Sequence, residues 1–356
     1  MIILMSVLWL WYLLIFYNVP YLLYQSIAIF ALMQLSLKLD IPPLKKPINY
    51  TSCVLLTGSC FSEHISERLE QHKFKVVSNP NGILFNPISV ADSLNGYLDN
   101  RQYAAGELFY LNELWNSWGH HTRFSDISEA AALTKINDAQ KAGAEAIKNA
   151  GWVIITLGSA FQYYLVETGK AVANNHRAPA QWFEKKLLPV SAIIQALSNT
   201  INKLQYVNPG AQVLFTISPV RHIRDGVVEN NRSKARLIEA VHELCGSFEQ
   251  VHYFPAYELL IDILRDYRFY DIDFVHPNFL ATSYVWEQFV KACINPADQK
   301  IMEQVYEIVT AAKHRPRFPE TQAHHKFLLS FAQKCSYLLM EYPHINLQKE
   351  MAYFYS

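Results

Sequence analysis

An apolar run, a Gly-Ser pair and an amphipathic stretch follow one another directly at Val54–His64, and no other feature constrains the fold of this chain as strongly. The apolar run has the length of a buried strand, Gly58-Ser59 suits a tight turn, and a helix is expected to begin beyond it. A strand that turns directly into a helix is the repeating unit of parallel α/β sheets. The turn therefore places the Ser59 side chain above the end of a strand, at a helix N-terminus whose unpaired N–H groups favour negative charge.

Apolar runs of strand length alternate with helical patterns along most of the chain. Strands are predicted at Cys53–Thr57, Lys75–Ser78, Trp152–Leu157, Gln212–Ser218 and Val251–Phe254, and helices at Ser62–His72, Ala130–Asn149, Pro189–Val207 and Ser233–Gly246. This alternation predicts a three-layer α/β/α sandwich around a mostly parallel, five-stranded sheet with right-handed crossovers. Ligands of such sheets bind at the carboxyl ends of the strands, where Ser59 is expected.

The regions outside this alternation are predicted to be an insertion and a helical extension. Ala91–Asp126 is rich in aromatic residues and loops, and we expect it to form a lid or insertion over the site. After Asn295 the pattern is helical, with a last amphipathic helix at about Ala323–Tyr342. Residues 296–356 are therefore predicted to be a helical C-terminal extension that packs on the main domain, residues 33–295.

Residues 1–37 contain no charged side chain, and two interpretations of the segment 1–32 stay open. The segment has the length and hydrophobicity of a membrane anchor, and the basic residues from Lys38 onward would then keep the domain on the cytoplasmic side. Alternatively, translation starts at Met33, the segment is an over-extended gene start, and the protein is cytoplasmic. A cleaved signal peptide fits poorly, because no basic residue precedes the apolar run.

The charge balance and the cysteines bear on the classes of partner to expect. The chain has 31 basic and 31 acidic residues, so no electrostatic attraction to nucleic acid is indicated. Its five cysteines are scattered without metal-ligand spacing, which favours a reducing compartment and indicates no metal site. The sequence indicates no cofactor and no particular oligomeric state.

A carboxylate three residues before an imidazole, Asp273-x-x-His276, offers the two groups that would activate a serine. In that arrangement Asp273 orients His276, and His276 takes the proton of Ser59. Several alternatives stay open. In the first, Ser59 only caps the helix; in the second, Cys60 is the nucleophile; in the third, Asp271 orients His276 in place of Asp273.

The Gly58-Ser59 turn and the Asp273-x-x-His276 segment resemble the first and last blocks of the SGNH (GDSL-type) hydrolases. Within that superfamily the chain resembles the GSCFA domain family. The family signature is present as Gly58-Ser59-Cys60-Phe61, with Ser62 where the family usually has Ala. Further segments similar to the family are Ser78–Pro87, His120–Phe124, Ser218–His222, Glu229–Ala235 and Leu264–Tyr270. The resemblance covers roughly residues 33–350 and implies a catalytic triad of Ser59, His276 and Asp273 that acts on an ester.

The resemblance also implies an oxyanion hole, and here the chain departs from the broader superfamily. That superfamily adds a glycine and the asparagine of a Gly-x-Asn segment to the serine N–H, whereas Gly158-Ser159-Ala160 has alanine where asparagine is expected. One lost donor costs about 3 kcal/mol of transition-state stabilisation. Candidate oxyanion or substrate-binding groups around the serine are Gly58, Gly82, Asn86, Gly158 and the amide of Asn79.

Polar residues elsewhere in the chain are candidates for substrate binding. The pair His120-His121 with Arg123 would bind an anionic or sugar-like substrate or serve the fold, and a metal site of these histidines with Asp273 and His276 ranks lower. Two further candidates, Arg221 and His222, follow a predicted strand at the end where ligands of parallel sheets bind. The polar run Asn230, Asn231, Ser233 and Lys234 is interpreted first as a helix N-cap region and second as part of a pocket.

Together these features predict an SGNH-type serine hydrolase that cleaves an ester, with a small acyl group on a polar carrier such as a glycan. An acyltransferase would use the same triad, with a sugar hydroxyl in place of water as the acceptor. A binding module of the same fold, without turnover, is the rival from another class, and Ala160 is its best support. The expected partner is a small-molecule or glycan ester, with no nucleic acid and with membrane association only if residues 1–32 are an anchor.

Overall fold

The computed structural model describes residues 37–355, and it contains all five predicted strands. In chain order the strands are β1 (Cys53–Gly58), β2 (Lys75–Ser78), β3 (Phe109–Leu111), β4 (Leu114–Asn116), β5 (Ala150–Leu157), β6 (Phe161–Leu165), β7 (Ala171–Val172), β8 (Phe183–Leu187), β9 (Gln212–Ile217) and β10 (Val251–Tyr253). The main sheet has the order β10-β9-β5-β1-β2. All of its neighbouring strands run parallel.

Helices cover both faces of this sheet. They are α1 (Cys60–Gln71), α2 (Pro87–Leu98), α3 (Glu129–Asn149), α4 (Val190–Val207), α5 (Val227–Ser247), α6 (Phe279–Cys293), α7 (Pro296–Ala312), α8 (Gln322–Glu341) and α9 (Gln348–Phe354). A short helical turn at Ala256–Glu258 runs on into a π-helix at Leu259–Leu264. Single turns of 3₁₀-helix lie at Ala105–Glu107, Thr122–Phe124, Ala180–Trp182, Ile223–Asp225 and Tyr267–Phe269.

Alternate strand residues build a core on each face, because successive side chains of a strand point in opposite directions. On one face Leu55, Val153 and Phe215 join the main hydrophobic core, together with apolar residues of α2, α3, α4 and α5. On the other face Arg68 of α1 donates a hydrogen bond of 2.8 Å to Ser283 of α6. The predicted three-layer α/β/α arrangement is therefore confirmed.

Two elements differ from the sequence prediction. The first part of Ala91–Asp126 belongs to α2, which begins one residue after its cap Asn86 and has Pro87 in its first turn. The helix predicted at Ser233 begins six residues earlier, at Val227. The hydrophobic pattern alone did not mark either helix start.

An antiparallel sheet of β6, β7 and β8 inserts between β5 and α4 and was not predicted. Its central strand β6 pairs with both neighbours. The strand β8 alternates half-buried and exposed residues, a weaker signal than the continuous burial of β5 and β9. Such half-covered strands carry little apolar signal in the sequence.

The region after Asn295 is helical, as predicted, and contacts the part of the chain around α1. Glu350 of α9 forms an ion pair with Lys73 at 2.7 Å. The ring of Tyr306 in α7 stacks on His72 with centroids 5.2 Å apart. Residues 40–355 form one compact unit.

The predictions for the segment 1–32 lie outside the described residues. In residues 37–355, no helix combines the length and the hydrophobicity that a bilayer crossing requires.

Candidate active site

The turn between β1 and α1 requires glycine at position 58. Gly58 has φ +140°, and a Cβ there would lie 2.2 Å from the carbonyl oxygen of Thr156 in the neighbouring strand. An L-residue would strain the backbone and also collide with β5. This close approach of β1 to β5 brings Ser59 to the carboxyl end of the two central strands, as the sequence predicted.

Ser59 is the N-cap of α1, and its hydroxyl oxygen accepts a hydrogen bond of 3.3 Å from the N–H of Phe61. The capping role considered in the sequence analysis is therefore present. A cap accepts through a lone pair and leaves the hydroxyl proton free. Among the described residues no acceptor binds that proton. Ser59 is only 3% exposed, so a reacting group must reach it through a narrow opening.

Cys60 is a poor rival for the nucleophile. Burial is the largest of several effects that raise the pKa of its thiol, and nearby Glu63 raises the pKa further. A thiol with a raised pKa forms little of the reactive thiolate at neutral pH.

Asp273 and His276 are joined by a hydrogen bond. Nδ1 of His276 lies 2.6 Å from Oδ2 of Asp273. The other carboxylate oxygen accepts the N–H groups of Val275 at 2.9 Å and His276 at 3.0 Å. The hydrogen bond from His276 and these backbone bonds lower the pKa of Asp273 to about 2. Asp273, and not Asp271, is thus the carboxylate that contacts His276.

Arg221 ties the Asp273–His276 loop to the end of β9. Its N–H donates to the carbonyl oxygen of Val275 at 3.3 Å, and its guanidinium donates to that of Phe274 at 3.3 Å. The guanidinium also lies over the ring of Tyr270, 4.1 Å from the centroid. Arg221 was a substrate-binding candidate, but its contacts in the structure are those of a loop anchor.

The loop after β2 supports the serine turn from the other side. The side-chain oxygen of Asn79 accepts the N–H of Gly58 at 2.9 Å, while its amide nitrogen is buried and has no partner among the described residues. The backbone of Asn79 has φ +43°, a conformation that asparagine tolerates. A buried, unpartnered N–H₂ group beside the serine is a candidate oxyanion donor.

Several groups proposed as oxyanion donors are already used by the fold. The N–H of Gly82 donates to Asn79 at 2.7 Å, that of Gly158 to Phe85 at 2.8 Å, and that of Ser59 to Thr156 at 3.0 Å. Asn86 caps α2 through its side-chain oxygen and donates its amide to the carbonyl oxygen of Phe161 at 2.6 Å.

The candidates Gly58, Gly82, Asn86 and Gly158 therefore shape the turn rather than offer free donors. The N–H of Cys60, first in α1, has no backbone acceptor in the described part of the chain. In α/β-hydrolases the residue after the nucleophilic serine supplies such a donor. Together, the Cys60 N–H and the Asn79 amide are the donors that remain.

His222 lies at the same edge of the sheet, packed against Gly158. A Cβ on Gly158 would be 3.1 Å from Nε2 of His222, and the imidazole lies 5.0 Å from the ring of Phe85. Its Nε2 is buried and unpartnered within the described residues. Burial, and next the charge of Lys234, lower the pKa of His222 to about 4, so the imidazole is neutral at pH 7.

The two neighbouring histidines have different positions. His120 is completely buried, and its Nδ1 lies 2.8 Å from the hydroxyl of Ser117. Burial lowers the pKa of His120 to about 3. A core role therefore describes His120 better than substrate binding.

His121, by contrast, packs on the turn beside the serine. A Cβ on Gly82 would be 2.1 Å from the Cβ of His121. Arg123 donates to the carbonyl oxygen of Asn79, so both residues hold this turn. In residues 37–355, no cluster of His, Cys, Asp or Glu side chains is arranged to hold a metal ion.

Three polar residues of α5, for which a pocket role was the second interpretation after helix capping, lie on the inner side of the site. Asn230, Ser233 and Lys234 are all buried, and they contact the loops that follow β5 and β9. They are not cap residues, because α5 begins at Val227. The signal in the sequence was their spacing, which places three polar side chains on one helix face.

Ser59 and His276 lie at the same edge of the sheet but form no hydrogen bond with each other in the described part of the chain. His222 packs against Gly158, and His276 is among the groups that lower the pKa of His222. In free enzymes such catalytic contacts are often long and tighten only with substrate.

A polar cavity of about 310 Å³ lies beside the turn that supports the serine. Asn81 lines it, and the side-chain oxygen of Asn81 is buried without a partner in the described part of the chain. Other lining residues with polar or charged side chains are Ser89, Asp92, Asn95, Arg101 and Lys170. Neither Ser59 nor His276 reaches this cavity.

Comparisons with known proteins agree with the family resemblance. The model of the GSCFA family matches residues 53–289, and that of the GSCFA domain protein, C-terminal domain, matches residues 305–356. No curated protein matches the sequence.

Two solved structures show limited similarity. A Clostridium thermocellum family 3 carbohydrate esterase is 10% identical with a TM-score of 0.34, over 73% of this chain and 100% of that one. An acetyl xylan esterase (Est2A) from the rumen bacterium Butyrivibrio proteoclasticus is 12% identical with a TM-score of 0.35, over 70% of this chain and 64% of that one. Similarity at this level is not evidence of a shared activity.

Proposed function

Because the chain belongs to the GSCFA family, we propose that it is a serine hydrolase of the SGNH type that cleaves an ester. Ser59 is the nucleophile, His276 the general base and Asp273 the group that orients His276. The observation that carries this proposal is the 2.6 Å bond between Asp273 and His276, on a loop anchored at the same sheet edge as the buried Ser59 turn.

The Asp273 contact determines which imidazole nitrogen acts as the base. The carboxylate accepts Nδ1–H of His276, which leaves Nε2 as the proton acceptor. Because its pKa is lowered to about 2, Asp273 stays ionised throughout the neutral range. It therefore also stabilises the imidazolium that forms when His276 takes the serine proton.

The reaction proceeds through an acyl-enzyme. Oγ of Ser59 attacks the ester carbonyl while His276 accepts its proton, and the resulting oxyanion is bound by the N–H of Cys60 and the amide of Asn79 at the α1 N-terminus. The alcohol then leaves with the proton from His276. Water, deprotonated by the same imidazole, attacks the acyl group and releases the acid and the free serine.

Movement of the Asp273–His276 loop brings His276 to Ser59. The serine is buried and fixed by its turn, whereas the side chain of His276 is 52% exposed. A substrate bound between the two groups would draw the loop inward and exclude water from the crevice.

The polar cavity beside Asn81 supports a polar carrier for the acyl group. Asn81 lies two residues after Asn79, so one turn contacts both the serine strand and the cavity. Amide, hydroxyl and charged side chains are the groups that bind sugar hydroxyls, and a glycan fits this lining better than a lipid does.

A fluorophosphonate probe tests the proposal, because it labels only an activated serine. We expect covalent labelling at Ser59 that is lost in Ser59→Ala and falls about 10³-fold in His276→Ala. Ser66→Ala is the matched control, since Ser66 is another buried hydroxyl of the same helix, and its labelling should equal that of the natural protein. Folded protein that takes up no label, or equal labelling in His276→Ala, contradicts the proposal.

A binding module without turnover is the second candidate, and the bonded N–H groups of Ser59, Gly82 and Gly158 favour it. It predicts no labelling together with measurable binding of an acetylated oligosaccharide by calorimetry. An acyltransferase predicts labelling and, with a sugar acceptor present, an acylated sugar in place of the free acid.

A further inference from the structure

The helix α5 presents three buried polar side chains to the end of the sheet. Asn230, Ser233 and Lys234 are 5%, 2% and 1% exposed. Their spacing of three and four residues places them on one face of the helix, against the sheet. Buried polar groups are retained only where they bind something, so the contacts of these three define their role.

Each of the three binds a loop at the carboxyl edge. Asn230 accepts the N–H of His222 at 2.8 Å, and Ser233 accepts the N–H of Ala160 at 2.7 Å. Lys234 donates to the carbonyl oxygens of Gly158 and Ser218, each at 2.6 Å. The side chains thus hold the loops after both β5 and β9.

Lys234 is the unusual member, since its ammonium is buried without a carboxylate partner in the described part of the chain. A buried cation is costly unless its surroundings compensate for the lost water. Burial lowers its pKa to about 7. An apolar residue would fill the same space at less cost if only packing were needed.

The loops held by Lys234 contact each other and face the serine strand. Gly158 follows β5, the strand that pairs with β1 and accepts the N–H of Ser59 through Thr156. His222 packs against Gly158, so a shift of Gly158 moves His222 as well. The positions of Ser59 and His222 therefore depend on the same contacts.

We propose that Asn230, Ser233 and Lys234, together called the α5 clamp, are positioning residues that fix Gly158 and His222 beside Ser59. Lys234 is the main member, because it alone joins the two loops. None of the three touches the reacting atoms. The claim that serine reactivity needs the clamp rests on the proposed function, whereas the claim that the clamp positions His222 does not.

The charge of Lys234 gives a direct readout of this arrangement. It is the second cause of the lowered pKa of His222, after burial. Removal of that charge should raise the pKa of His222 toward its ordinary value. The other charged groups that face His222 are Asp225, Lys185 and His276, and they stay in place.

Lys234→Met is the test, with Arg236→Met as its matched control. Arg236 lies on the same helix and donates to two carbonyl oxygens, those of Leu187 at 2.9 Å and Leu188 at 2.7 Å, but it holds the end of β8. In Lys234→Met we expect fluorophosphonate labelling of Ser59 to fall about 10- to 100-fold. The ¹⁵N titration of His222 should move to higher pH. Lys234→Arg keeps the positive charge, so both readouts should change less in it than in Lys234→Met. In Arg236→Met both readouts should stay within twofold of the natural protein.

The readouts separate the two claims. If Ser59 of the natural protein is never labelled, but the His222 titration moves in Lys234→Met and not in Arg236→Met, the clamp stands and the hydrolase proposal fails. If neither readout in Lys234→Met differs from Arg236→Met, the clamp is overturned. Should Lys234→Met not fold, Ser233→Ala and Asn230→Ala decide the matter: unchanged labelling and unchanged His222 resonances in both overturn it.

Discussion

The two halves of the candidate site are built in different ways. The serine half is buried and is held by bonds from Asn79, from β5 and from the α5 clamp. The histidine half is an exposed loop in which the side chains of Asp273 and His276 are 43% and 52% exposed. Arg221 links this loop to the end of β9.

This difference indicates which half moves. Displacing the serine half would break buried hydrogen bonds, each of which is costly to leave unmade. Displacing the histidine loop breaks exposed contacts that water replaces at little cost. A site with one rigid and one adaptable half can admit a substrate and then close on it.

The largest effect is expected in the histidine half, from Asp273→Asn. The amide cannot stabilise the imidazolium and favours the wrong tautomer of His276, so labelling of Ser59 should fall about 10³-fold. Because the pair is exposed, the melting temperature should change little. The rate of fluorophosphonate labelling measures the first effect and calorimetry the second. Asp271→Asn is the control, and an equal loss in both variants would contradict the assignment of Asp273.

The second prediction concerns the rigidity of the serine half. In Gly58→Ala the new Cβ meets the carbonyl oxygen of Thr156 at 2.2 Å, at a backbone φ of +140°. Main-chain atoms of a central strand cannot yield, so we expect a loss of about 3 kcal/mol or more in the free energy of unfolding, measured with urea. Gly106→Ala, where nothing lies within 4 Å, should be nearly neutral. Equal stability of the two variants would mean that the turn relaxes.

The same contrast explains which parts of the molecule were predictable. The main sheet was predictable, because β1, β5 and β9 are mostly apolar and almost entirely buried. The Asp273–His276 contact was also predictable, because it is local and depends on a spacing of three residues. Each of these signals is local, because the residues that carry it lie within a few positions of one another along the chain.

What could not be predicted depends on contacts between distant segments. Whether Gly82 and Gly158 had free N–H groups depended on Asn79 and on Phe85, which only the fold brings near. Lysine in a helix usually lies at the surface. Lys234 is buried because its ammonium binds Ser218 and Gly158, which are 16 and 76 residues away along the chain. A single sequence carries no record of such pairings.

The third prediction tests the buried half through pH. The pKa of His222 is about 4 in the folded protein and near 6.5 when unfolded, so the unfolded chain binds the proton first as the pH falls. The contribution of His222 to stability is therefore lost as the pH falls from about 6.5 toward 4, by roughly 2 kcal/mol at pH 5 relative to pH 7. Urea unfolding at the two pH values measures this loss, which should shrink in His222→Gln. It should persist in the control His64→Gln, and equal pH dependence in all three proteins would contradict a buried neutral His222.

The smallest effect is expected from Arg221→Met, which loosens the histidine loop without touching the triad. The variant loses the guanidinium bond to Phe274 and the contact with the ring of Tyr270, each worth about 1 kcal/mol or less at an exposed position. The backbone bond to Val275 remains, so we expect labelling of Ser59 to fall only about tenfold, with little change in melting temperature.

The exposed neighbour Arg224 supplies the matched control for this last prediction, and Arg224→Met should leave the labelling rate unchanged. Lysine at position 221 should not restore the rate, because an ammonium lacks the planar group that lies over the ring of Tyr270. If labelling in Arg221→Met equals that in Arg224→Met, the loop is held by its own internal bonds. The histidine half would then be as rigid as the serine half, and the closure of the loop on the substrate would have to be abandoned.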